Sequence, residues 1–282
     1  MLASLFIVWR ESVEALLVIG ILYAWMKREN LQEAVGQLWL GVFFGLILTA
    51  LLGCVIYFAN EWYNGPQGVW LQAGMMIIAS LLILQMIIWM HRHGSGMKQN
   101  LEKEASESLT KAGGFGIMLL CMLAVAREGA ETVIFLYGVG AQQVGTSFWF
   151  FGVGALIGFI LAIATFLLLQ LTSHFIEWKY FFRVSAFMLL LIGGGIFVTG
   201  IDKLTEILSN YDLPEWAFSF ISDPIWDTSG ILADRSWLTQ LTGYHAVPAL
   251  IQVVALVLYW AIALFFCLKK NKPAKIDKAK FA

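Results

Sequence analysis

Two stretches of this 282-residue chain carry the same charged frame inside apolar surroundings. Near the start, VWRESVEALLVIGIL holds Arg10, Glu11 and Glu14; further on, AVAREGAETVIFLYG holds Arg127, Glu128 and Glu131. Both read R-E-x-x-E. Residues three and four apart share a helix face. At 3.6 residues per turn, the two acids of each copy lie about 60° apart around the axis, with the arginine about 40° from the second acid. All three charges therefore project from one side, which must face the protein interior. Six unpaired charges at mid-membrane would cost roughly 15–20 kcal/mol, at about 2.5–3.5 kcal/mol each, so they must be paired. Two acids per base leave a surplus of negative charge, which suits a bound cation better than a purely structural ion network. Carboxylates are hard ligands, and no His, Cys or Met lies within either motif, which disfavours copper and zinc. Arginine cannot be a ligand; its role is to position the acids. The frame predicts Glu11, Glu14, Glu128 and Glu131 as metal ligands, supported by Arg10 and Arg127. Two rivals share these residues: a membrane metalloenzyme with a redox-active carboxylate cluster, and a subunit whose charges only lock helices together. A ferritin-like di-iron enzyme would want E-x-x-H on some helices, whereas the fourth position is Glu in both copies.

The elements that carry these motifs belong in a bilayer. The chain is 60% hydrophobic and 13% charged, against about 45–50% and about 25% for soluble domains. A net charge of −1 argues against a nucleic-acid partner. Cys54, Cys121 and Cys267 lie in apolar runs without C-x-x-C spacing, so neither disulfides nor a thiolate metal site is expected. No phosphate-binding loop motif occurs, which argues against nucleotide hydrolysis. The first apolar run lacks a basic leader and contains charges, so it reads as a retained span, not a signal peptide. A hydrocarbon core of about 30 Å needs about 20 residues of helix. Seven runs qualify, near 2–26, 34–59, 69–91, 114–141, 147–170, 181–201 and 246–268. The expected fold is an all-α integral membrane protein of seven transmembrane helices.

The second motif opens a second half. Gly41 and Gly45 in span 2 match Gly154 and Gly158 in span 5, as small-xxx-small pairs that let helices approach closely. Spans 1–3 and 4–6 read as two repeats, about 1–93 and 112–203, with span 7 added. Three spans is an odd number, so the 3+3 repeats are inverted and their midplane sites meet, as in many secondary transporters. Of 18 basic residues, 14 fall on one side: Lys27, Arg28, Arg92, Lys98, Lys103, Lys111, Lys179, Arg183 and six lysines of the tail. Only Lys203 and Arg235 fall on the other. The positive-inside rule then places the N-terminus outside and the C-terminus in the cytoplasm. The domain plan is one transmembrane unit over 1–268, an outer acidic and aromatic loop at 202–245, a last helix at 246–268 and a basic cytoplasmic tail at 269–282.

Paired R-E-x-x-E motifs in spans one and four of a seven-span chain resemble the oxidase-dependent iron permeases, the family of the fungal high-affinity iron permease and bacterial EfeU. The resemblance covers nearly the whole chain, including LTGYHAVPALIQVVALVLY, which is similar to the family's Gly-Tyr…Pro lead-in to its last helix. The family's usual R-E-G-L-E is RESVE and REGAE here, so Ser12, Val13 and Ala130 depart from it while the charged frame stays. Where bacterial members can carry an acid in span 7, this chain has Gln252. The resemblance implies a multi-pass plasma-membrane permease, bacterial inner membrane included, that imports ferric iron. It implies no permanently bound cofactor, iron being the substrate. It also implies an outer redox partner, a multicopper oxidase or periplasmic EfeO- and EfeB-like proteins. A permease for lead, manganese or another divalent ion is the alternative within the class.

Lesser features get plainer readings. Asp202 and Glu206, four apart beyond span 6, are a candidate outer access point for the metal. The segment KQNLEKEASESLTKAG places Leu101, Ala105 and Leu109 on one face of a short amphipathic helix. Met86/Met90 and Met118/Met122 are M-x-x-x-M pairs, read as packing or lipid-facing methionines. His91, His93, His174 and Glu177 read as interfacial.

Overall fold

A computed structural model of the chain describes residues 1–62, 66–93, 97–140, 146–171, 178–209, 214, 221, 223–230 and 242–268. Among these lie seven long helices: α1 Leu2–Arg28, α2 Val35–Trp62, α3 Pro66–His93, α4 Met97–Gly140, α5 Thr146–Leu171, α6 Trp178–Leu208 and α7 Leu250–Leu268. They fall on the seven expected spans. Five helical stretches, Gln32–Trp62, Gly68–Met90, Lys98–Gly140, Trp149–Leu168 and Arg183–Leu208, are long and apolar enough to cross a membrane by length and composition, and α7 is a shorter apolar helix. In hydrocarbon a helix is the economical choice, because it satisfies every backbone N–H and C=O within the segment. The chain is a multi-pass membrane protein. The tail at 269–282, most of the outer loop (Asp212, Glu215, Trp216, Asp234 and Trp237 among its acids and aromatics), His174 and Glu177, and the side chains of His91 and His93 lie outside what the structure describes.

The core is arranged around α1. No residue from Ala3 to Leu22 is exposed. Its N-terminal half packs with Phe135 and Val139 of α4, and its C-terminal half with Ile117, Cys121 and Val125. α1 and α4 therefore run antiparallel and cross where the two motifs sit. α5 lies along α1 and α2 lies along α4. Their glycines meet the partner helix in matching register. A Cβ on Gly41 would come within 2.5 Å of the Met118 carbonyl oxygen, and one on Gly45 within 2.9 Å of that of Met122. A Cβ on Gly154 would come within 2.6 Å of the Met1 oxygen, and one on Gly158 within 2.3 Å of that of Leu5. These carbonyls lie nine and five residues before Arg127, and nine and five before Arg10. The glycine pairs thus dock each side helix at the same distance from its motif.

α4 is bent at Gly113, whose φ of 60° and ψ of −146° interrupt the helix. A left-handed φ is cheap only for glycine. The part before the bend is the amphipathic helix expected there: Ala105 is fully buried, and Leu101 and Leu109 pack in the same cluster with Leu22 and Trp25 of α1. Arg28 Nη2 pairs with Glu102 at 3.4 Å and holds this helix to the end of α1.

The lead-in to α7 folds inward. Gly243 has a φ of 71°, and its Cα side lies against Gly194 and Gly195. Those residues are seven and eight positions inside α6 from Asp202, or about 11 Å along the axis. Irregular backbone at such depth needs protein partners. Residues 224–228 supply them: Ile225 N–H donates to Pro248 O at 2.9 Å, and Thr228 N–H to Ala246 O at 2.9 Å. Thr228 and Tyr244 also share a short hydroxyl contact.

Candidate functional site

The charged frame of α1 is sealed. Arg10 is fully buried, Glu11 is 1% exposed and Glu14 is 6% exposed. The guanidinium donates from Nη1 to Glu11 Oε1 at 2.6 Å. Nη2 lies 2.8 Å from Glu14 Oε1, an ion pair outside hydrogen-bonding alignment. The same two nitrogens reach α3. Nη1 donates to Met86 Sδ at 3.0 Å, and Nη2 to Met90 Sδ at 2.8 Å. A buried unpaired carboxylate or guanidinium would cost several kcal/mol; here one guanidinium is shared by two carboxylates, which leaves one negative charge over.

The frame of α4 is placed differently. Glu128 is 9% exposed. Arg127 donates from Nε to Glu131 Oε1 at 3.1 Å, and its own side chain is 51% exposed. Its guanidinium carbon lies 5.1 Å from the centre of the Trp89 ring, a cation–π arrangement. The expectation that all six charges face the interior fails at this residue. Phe115, Leu119, Leu123 and Arg127 recur every four residues as an exposed stripe along α4. α1 is covered all round, whereas α4 keeps one face free of other helices, and Arg127 is on that face.

The two motifs meet across the α1–α4 crossing. Carboxylate oxygens of Glu11, Glu128 and Glu131 lie within 4.8 Å of one another, close enough for one metal ion. Each of the three has a buried oxygen, Oε2, with no hydrogen-bond partner. Unpaired buried acceptors are costly, and three that converge could hold a cation. Glu14, the fourth expected ligand, is outside this trio and is held on Arg10.

Residues 1–270 match the family model described as "Iron permease FTR1 family". The chain belongs to the iron permease FTR1 family. Among curated proteins it is 24% identical over 274 residues to "Ferrous iron permease EfeU" of Yersinia pestis, covering 94% of this chain and 93% of that protein. It is 25% identical over 268 residues to the protein of the same name from Yersinia pseudotuberculosis serotype I, covering 92% and 90%. It is 25% identical over 270 residues to that of Escherichia coli O157:H7, covering 94% of each. No solved structure matches the chain. Membership of a permease family points to a transporter rather than an enzyme.

Within this iron permease the other sequence candidates are also placed. Asp202 and Glu206 share a hollow of about 250 Å3 with Thr205, Ser209 and Ile221. Both acids are engaged: Asp202 Oδ1 accepts from Gln252 Nε2 at 2.6 Å, and Glu206 pairs with Lys203 at 2.8 Å. Gln252 Oε1 in turn accepts from Ala249 N–H at 3.1 Å. The span-7 position that departs from an acid therefore ties the start of α7 to the end of α6. Met86 and Met90, read from the sequence as packing or lipid-facing, pack in the core. They are 4% and 7% exposed, and they face Arg10, not lipid. Their one-turn spacing was visible, but only the fold shows that the turn faces a guanidinium.

Proposed function

We propose that this permease imports iron across the plasma membrane, the inner membrane in a bacterium, through a site made by Glu11, Glu128 and Glu131 with Glu14 beside it. The observation that carries this reading is the convergence of three carboxylates from two antiparallel helices, each with a buried, unpaired oxygen. The matching glycine registers and the α1–α4 crossing support an inverted 3+3 repeat with α7 added. The basic bias of one side supports an outer N-terminus. Metal arriving at the acidic outer side would be drawn inward by an inside-negative potential, at about 2.3 kcal/mol per charge per 100 mV. Arg10 and Arg127 position the acids, and an outer redox protein would supply iron in the transported state. The hollow at Asp202 and Glu206 would be its outer access point.

The oxidation state divides on two observations. An all-carboxylate trio is a hard site that suits ferric iron, as the resemblance to the oxidase-dependent permeases implies. The EfeU relatives are named for ferrous iron. Proteoliposomes holding the full chain should take up radiolabelled iron, offered once as chelated Fe3+ and once as Fe2+ under ascorbate. Glu11→Gln and Glu131→Gln, monodisperse in detergent, should abolish the flux in whichever arm carries it. Undiminished flux in both variants would remove the site from the path of the ion.

A further inference from the structure

The guanidinium of Arg10 occupies a cage of four acceptors. Nη1 is shared by Glu11 Oε1 and Met86 Sδ, and Nη2 by Glu14 Oε1 and Met90 Sδ. Two oxygens lie on the α1 side and two sulfurs on the α3 side. Thioether sulfur is a weak hydrogen-bond acceptor, and methionine is by default a filler of apolar gaps. A filler need not direct its sulfur at a cation. Here two sulfurs one helical turn apart are both directed at the same one. The cage also adjoins the trio, because Glu11 belongs to both: its Oε1 holds Arg10, while its Oε2 is buried and unpaired.

We infer that Met86 and Met90 are ligands of the transported metal, which enters the cage as the Arg10 guanidinium swings aside, and that they make the site prefer ferrous iron to harder divalent ions. The inference rests on the iron-import reading and deepens it. The guanidinium marks a place where this fold already stabilises a cation with two carboxylates and two sulfurs. A divalent ion there would exchange N–H contacts for coordinate bonds, with no change in the protonation of any sulfur. Soft thioethers add little for Mn2+ and more for Fe2+, which also lies above Mn2+ in the general order of affinities. A site of carboxylates alone would separate these ions poorly. The arginine then acts as a resident counter-cation: it keeps Glu11 and Glu14 compensated between ions, and the sulfurs serve either occupant.

Leucine replaces methionine at nearly constant volume, so M86L, M90L and the double variant test the sulfurs without opening a cavity. Anaerobic binding of Fe2+ and of Mn2+ to the purified full chain in detergent is measured beside uptake of both ions by proteoliposomes. The expected result is a loss of about tenfold or more in Fe2+ affinity in the double variant, the low end for removing a metal-supporting group, with Mn2+ affinity held within about twofold. Iron K-edge absorption of the wild-type protein should show sulfur in the first shell, and this second readout stands even if the double variant does not fold. Equal losses for both ions would reduce the methionines to props for Arg10 and overturn the inference. So would an unchanged Fe2+ affinity, a first shell of oxygen and nitrogen alone, or no Fe2+ binding by the wild type. A wild type that binds Fe2+ with sulfur in its shell but moves no iron would leave the ligand assignment standing and overturn the import reading instead.

Discussion

The R-E-x-x-E frames of α1 and α4 are spelled alike and sit in opposite surroundings. One turn of α3 receives both arginines. Met86 and Met90 take Arg10 into a buried cage, and Trp89, between them in sequence, takes Arg127 on its ring at an open face. The difference follows from packing around the two motif helices. α1 packs chiefly against α4 and α5, with two side chains of α3 reaching Arg10, whereas α4 is flanked by α1, α2 and α3 and keeps the stripe that ends in Arg127. An internal repeat therefore fixes charge type and register but not environment. The carboxylates still converge, because they lie on the faces turned toward the crossing.

The carboxylates should be the most sensitive point of the comparison. Glu11→Gln on the sealed side and Glu131→Gln on the open side should each lower iron uptake by about a hundredfold or more, at or beyond the upper end for loss of a metal-supporting group. A large loss from one and none from the other, measured in proteoliposomes, would mean that the motifs do not act as one site. The arginines should separate the two environments. Arg10→Ala leaves two buried carboxylates uncompensated and should cost about 3–5 kcal/mol of stability. Arg127→Ala removes a half-exposed ion pair, which is worth about 0.2–1 kcal/mol. Thermal unfolding in detergent checks both, and equal shifts would contradict the sealed-versus-open contrast.

The glycine registers should behave alike despite that contrast. Gly41→Leu and Gly154→Leu would each drive a side chain onto a backbone carbonyl at 2.5 and 2.6 Å. Overpacking of this kind costs about 1–3 kcal/mol. Gly53, whose nearest neighbours would lie 4.0 Å from an added Cβ, is the control and should accept alanine with little change in melting temperature. The smallest effect is expected at Trp89→Leu. It removes a cation–π contact worth about 0.5–1 kcal/mol at an exposed site and should leave uptake through the carboxylates intact. A large loss of uptake would show that the indole does more than hold Arg127.

Much of this protein was legible because hydrocarbon imposes a coarse rule. Seven apolar runs of about 20 residues have few other structures open to them, and the seven helices fall where those runs are. The amphipathic face of Leu101, Ala105 and Leu109 was legible from its period. The R-E-x-x-E spacing located the candidate site, since charges in apolar helices have few other reasons to be there. The Gly-x-x-x-Gly pairs indicated close helix approach, though the carbonyls they rest on were not visible. Met86 and Met90 pack in the core, one of the two readings their sequence allowed, but their contact with Arg10 was not legible: a methionine pair one turn apart has the same spelling whether it faces lipid, core or a cation.

The sequence by itself determined which residues are charged, how they are spaced along each helix and where the apolar helices lie, because these follow from local periodicity and the cost of charge in oil. Only the tertiary structure decided that Glu11 joins Glu128 and Glu131 while Glu14 stays on Arg10, that two sulfurs face one guanidinium and that Arg127 lies at an open face. Those outcomes depend on the crossing of α1 and α4 and on the rotation of α3 about its own axis. Both are set by side-chain contacts summed over whole helices, and no single stretch of the chain encodes them.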